Sequence, residues 1–93
     1  MSVYIVCHLE RENTPRGHHT REELSQRITR LWNGTLQFDG TWIVEADTTS
    51  DQIRDELTPC LSEGDAVLVV GAGIEAAWAG FEPADCDWLV EHF

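Results

Sequence analysis

The chain of 93 residues contains no lysine, and its six arginines stand against seventeen acidic residues, a formal net charge of −11. A phosphate backbone is bound chiefly by cationic side chains that displace its counterions. The surface as a whole therefore disfavours nucleic acid as a partner. Long apolar runs are missing as well. No segment approaches the ~18 residues of a membrane helix, so no membrane partner is expected. Met1 to Leu9 is apolar but short, lacks a basic lead-in and runs into Glu10-Arg11-Glu12, which reads as a strand rather than a signal peptide. The three cysteines, Cys7, Cys60 and Cys86, are odd in number and form no CxxC pair. That argues against a disulfide framework or a zinc knuckle and for reduced thiols in a cytoplasmic protein. No GxSxG, HExxH or P-loop pattern occurs. Gly71-Ala72-Gly73 lacks the remaining glycine and the helix context of a nucleotide fingerprint and reads as the end of a strand. No cofactor is expected, and a divalent metal only alongside nuclease chemistry.

What is present suffices for one core. Hydrophobic residues make up 42% of the chain and include four tryptophans, Trp32, Trp42, Trp78 and Trp88. The length exceeds the roughly 70–80 residues below which small scaffolds need staples, yet leaves no room for a second core. The expectation is a single domain over residues 1–93. Its central stretch is Ala66-Val67-Leu68-Val69-Val70-Gly71. Continuous and rich in valine, it reads as a strand buried on both faces, with the rest of the chain supplying the cover.

Taken in order, residues 2–9 predict a first strand. Alternation puts Val3, Ile5, Cys7 and Leu9 on one face, expected to be the core, and Tyr4, Val6, His8 and Glu10 on the other. A polar loop with Pro15 and Gly17 follows. Thr20 with Glu23 is a capping-box pair, and Leu24, Ile28, Leu31 and Trp32 recur at helical spacing, so a helix is expected over about 20–33, stopped by Asn33-Gly34. Residues 35–38 and 41–46 flank Asp39-Gly40, a tight hairpin signal requiring positive φ. Thr49 with Gln52 caps a second helix whose stripe is Ile53, Leu57 and Leu61, its end limited by Pro59. After the apolar strand, a loop or short strand carries Trp78 and Phe81, and Pro83 opens a terminal helix whose Trp88, Leu89 and Phe93 can pack back on the sheet.

The order β-α-β-β-α-β predicts an α+β, ferredoxin-like fold, an antiparallel sheet with two helices on one face and a short C-terminal helical appendage. The other sheet face would expose too much apolar surface for a monomer. A homodimer is expected, with Tyr4, Val6, Leu68, Val70 and Trp78 at its interface.

Several segments carry a family resemblance. Tyr4-Ile5-Val6, Thr41-Trp42-Ile43-Val44, Ile53-Arg54-Asp55-Glu56-Leu57, Gly64-Asp65-Ala66-Val67-Leu68-Val69-Val70, Ala76-Ala77-Trp78-Ala79-Gly80-Phe81 and Asp87-Trp88-Leu89 resemble a family of small bacterial proteins labelled SinR. That label is shared with a helix-turn-helix repressor, whose motif and basic recognition helix have no counterpart here. The family is more distantly similar to CRISPR-associated protein 2 and to virulence-associated ribonuclease toxins. The resemblance implies a ferredoxin-like homodimer joined through the sheet side, with C-terminal segments exchanged or packed across the interface. It also implies either a metal-dependent nuclease or a structural subunit. The superfamily's key aspartate lies at the end of the first strand, where this chain has Leu9 between His8 and Glu10. That departure weighs against metal-dependent nuclease chemistry.

Three groups of residues are site candidates. His8 and Glu10 share a strand face, where histidine could act as general base or join glutamate on a divalent ion. The plainer alternative is an interface histidine satisfied by a hydrogen bond beside a solvated strand end. His18 and His19 stand near Glu22 and Glu23, but no third ligand is evident and no metal site is assigned. Arg11, Arg16 and Arg21 flank the expected start of the first helix, where an anion could bind; arginines paired with nearby glutamates are the alternative. Three functions follow: a dimeric structural or regulatory module, an endoribonuclease using His8 and Glu10, or an acidic interaction protein that mimics nucleic acid.

Overall fold

The computed structural model describes residues 2–10, 15–32, 35–73 and 76–93, with side chains of the first helix from residue 20 onward. Strand β1 (Ser2–Leu9) leads into α1 (Pro15–Leu31), and β2 (Thr35–Phe38) and β3 (Thr41–Ala46) form a hairpin. Helix α2 (Ser50–Leu57) passes through a 3₁₀ turn, Thr58–Cys60, before β4 (Ala66–Ala72), and α3 (Pro83–His92) closes the chain. The strands make one antiparallel sheet in the order β2-β3-β1-β4. This is the ferredoxin-like α+β arrangement, with a third helix added. Among the described residues, no helix is long and apolar enough to cross a membrane.

Local chemistry accounts for most of the boundaries. At the hairpin, Asp39 takes the positive φ, 52°, as aspartate tolerates at a turn. Gly40 is needed for a different reason, space. A Cβ there would stand 3.0 Å from the His8 carbonyl oxygen and 3.0 Å from Arg21 Nη2, and the Gly40 carbonyl accepts from the His8 amide at 2.8 Å. Thr49 is extended and accepts the Gln52 amide at 3.3 Å, the expected N-cap of α2. Pro59 then ends regular helix, and the Thr58 hydroxyl donates to the Arg54 carbonyl at 2.8 Å. Helix α1, by contrast, begins at Pro15, five residues before the expected Thr20. Proline is favourable in a first helical turn. Thr20 is not a cap but a buried residue inside the helix, its Oγ1 bonded to Ser62 Oγ at 2.5 Å.

Helices α1 and α2 cover one sheet face, where Leu24, Ile28, Ile53 and Leu57 pack on Tyr4, Val6, Trp42 and Val44. Each fully buried aliphatic side chain of this kind contributes about 1.5–3 kcal/mol by leaving water. The expected faces of β1 are therefore reversed: Tyr4, Val6 and His8 point to the helices, and Val3, Ile5 and Cys7 to the opposite side. Both faces of β1 are apolar, so its alternation does not choose between them. Pairing chooses. Val6 stands opposite Trp42 and Tyr4 opposite Val44, and direct cross-strand partners share a face. Tyr4 tolerates burial because its hydroxyl donates to the Thr48 carbonyl at 2.5 Å.

On the back face, Leu89 of α3 joins Leu36 and Ile43, flanked by Val3, Trp78, Phe81, Trp88 and Phe93. The terminal helix does pack back on the sheet, but over its β2–β3 side. The expectation that the valine-rich strand is buried on both faces is corrected. In β4, Val67 and Val69 pack against the helix-side core, whereas Leu68 is 59% and Val70 44% exposed on the back face. Its place at the sheet edge, beyond the reach of α3, leaves that side to solvent.

Candidate functional site

Polar side chains converge where β1 ends. His8 is drawn into the interior as the last helix-facing residue of the strand, and its side chain is fully buried. The loop entering β4, turned by Gly64 at φ 86°, sets Asp65 beside it. His8 Nε2 lies 3.1 Å from Asp65 Oδ2, the carboxylate being only 6% exposed. A carboxylate can only accept, so Nε2 is the donor in this contact. The other ring nitrogen, Nδ1, is buried and has no hydrogen-bond partner among the described residues. One strand position further on, Arg21 Nη2 donates to Glu10 Oε2 at 3.4 Å, with Glu10 14% and Arg21 34% exposed. Glu10 Oε1 and Arg21 Nε are buried and unsatisfied. Arg21 owes its position to Gly40, against which its guanidinium packs.

The structure thus brings His8, Glu10 and Arg21 to one end of the sheet and adds Asp65, which was not among the site candidates. The available signal was topological: β4 runs antiparallel to β1, so a carboxylate just before it falls beside the end of the first strand. Arg21 lies six residues into α1 rather than at its N-terminus, so it forms no helix-start anion site, and its guanidinium faces a carboxylate. Arg16 lies in the first turn of α1, but its side chain, like those of His18 and His19, falls outside the described residues, as does Arg11 altogether. Among the described residues, no group of three or more His, Cys, Asp or Glu side chains is placed to hold a metal ion.

Chemically, an aspartate-oriented imidazole is the arrangement of a general base. Its burial opposes that role, because a general base must come within hydrogen-bond reach of its substrate. In the closed structure the pair instead joins the end of β1 to the start of β4 across 57 residues of sequence.

The five residues expected at a dimer interface do not form one surface. Tyr4 and Val6 lie in the core beneath α1 and α2 and cannot meet a partner; that assignment followed from the reversed faces of β1. Trp78 is half-buried against the back face. Leu68 and Val70 are exposed, and their cross-strand neighbours on the same face are Cys7 and Ile5, with Leu9, 70% exposed, one pair further along. These residues form an apolar stripe beside the edge of the sheet. Leu9 belongs to it.

Comparison with protein-family models finds none that matches this chain, and no curated protein matches it.

Proposed function

We propose that this chain is a homodimeric structural or regulatory module, similar in kind to CRISPR-associated protein 2, whose copies meet at the β4 edge and its back-face stripe. The observation that carries this reading is the exposure of Leu68 and Val70 on an edge strand with no charged residue from Ala66 to Ala72. Edge strands that remain solvated are normally guarded by charge, proline or a bulge. In β4 neither charge nor proline occurs. In a chain of net charge −11, like copies repel over most of their surfaces, and this uncharged edge is where two of them can approach. A second copy presents the same stripe, as a two-fold interface requires.

Equilibrium sedimentation tests the reading. The wild type is expected to sediment as a dimer at micromolar concentration and Leu68→Glu as a folded monomer. A wild type that stays monomeric overturns it.

A second reading, endoribonuclease, is favoured by the Asp65-oriented His8. It requires the His8 end of the sheet to open to substrate. Cleavage of single-stranded RNA that disappears in His8→Ala would support it, and the cytoplasm would be the setting for either activity.

A further inference from the structure

A cavity of about 220 Å³ lies on the back face, at the end of the exposed stripe. Ile5, Ile43 and Ala72 line its floor on the sheet, Trp78 and Phe81 line it from the segment between β4 and α3, and Leu89 and Phe93 line it from α3 and its end. Every described residue lining it is apolar. The space is partly open to solvent rather than sealed; for scale, a sealed dry cavity of about 150 Å³ with similar walls accepts benzene. The present space is larger than that.

Its walls are held independently of any occupant. The floor belongs to the three strands β3, β1 and β4. Phe81 meets Phe38 of β2 edge-on, ring centroids 5.4 Å apart at 62°. The Phe93 amide donates to the Leu89 carbonyl at 2.9 Å, and Leu89 is buried. The overlying chain, residues 76–79, has no regular secondary structure and ends at Gly80, whose φ of 84° turns it back toward α3 with open space around its Cα.

We propose that this cavity is a binding site for a small neutral aromatic molecule of one or two rings. The volume fits such a ring, and Trp78, Phe81 and Phe93 offer it aromatic partners. Charge selects the neutral form. Among the described residues the lining supplies no cation to a carboxylate and no carboxylate to an amine, and the chain's overall negative charge disfavours anions further. The cavity adjoins the exposed stripe, sharing Ile5 with it, but the proposal does not depend on the dimer.

Titration of the full chain, methyl-labelled at Ala, Ile, Leu and Val, with toluene and separately with benzoate tests it. Toluene is expected to shift the methyl resonances of Ile5, Ile43 and Leu89 while leaving Leu24 and Leu57, on the opposite sheet face, unmoved; benzoate is expected to shift none. Ala72→Leu, which fills the floor, is expected to weaken toluene binding about tenfold or more, the equivalent of a few lost ring contacts. Absence of shifts up to saturation of the buffer overturns the proposal, as do shifts confined to Leu68 and Val70. Binding seen only in monomeric Leu68→Glu, with toluene dissociating the wild-type dimer, also overturns it and makes a side chain of the second copy the natural occupant. If Ala72→Leu fails to fold, the wild-type titration still decides.

Discussion

The buried imidazole of His8 has one ring nitrogen on Asp65 and the other on none of the described residues. Such a group has more to lose than to gain from change. Asp65→Ala strands the Nε2 hydrogen in the interior, and an unsatisfied buried donor costs about 1–3 kcal/mol, read as a lower urea midpoint at unchanged slope. Gly40→Ala acts through space. Its Cβ would press on the His8 carbonyl, a backbone atom that cannot swing away, and on an Arg21 guanidinium that can do so by leaving Glu10. Crowding of this kind costs about 1–3 kcal/mol, a loss visible in the thermal midpoint. Cys60 offers a pH test. Burial pushes its thiol up from the ordinary value; Arg27 opposes, Glu23 reinforces and Arg30 opposes. As pH rises the unfolded chain loses this proton first, so the unfolded state binds fewer protons and stability falls. The contribution is complete below the ordinary thiol value and lost as pH rises through the folded one. Denaturant midpoints are expected to decline through the alkaline range less steeply in Cys60→Ala than in the wild type.

At the scale of elements, local signals were legible and distant ones were not. The Asp39-Gly40 hairpin, the Thr49 cap, the Pro59 stop and the order of strands and helices all come from neighbours in sequence. Thr20 misled because Thr20-x-x-Glu23 has the form of a capping box, whereas its hydroxyl serves Ser62, 42 residues away. The faces of β1 misled because Val3, Ile5 and Cys7 are as apolar as Tyr4 and Val6; only pairing with β3 separates them. Of the candidate site, His8, Glu10 and Arg21 could be read from the chain. Asp65 follows only from the strand topology, because its partner is 57 residues off. Helix α3 depends on one anchor, Leu89, its sole buried residue among those described. Its flank is held by Trp88 stacked on His92 at 3.8 Å, with His92 3.5 Å from Glu45. Leu89→Ala is expected to cost about 2–5 kcal/mol and to loosen α3 from the sheet. Increased binding of a hydrophobic dye with most far-ultraviolet dichroism retained would record that.

For the whole molecule, charge and apolar surface oppose one another. Two copies of net charge −11 repel, while in the proposed dimer the β4 stripe draws them together. Salt screens the first effect, with a Debye length of about 10 Å at 0.1 M, and leaves the second in place. Dimerisation is therefore expected to tighten as sodium chloride rises, opposite to an interface held by ion pairs. The most direct test is sedimentation of the wild type and Leu68→Glu side by side across micromolar concentrations. A dimeric wild type beside a folded, monomeric variant is the predicted result. A wild type that remains monomeric, or a variant that dimerises equally well, would contradict the β4 edge as the place where this protein works.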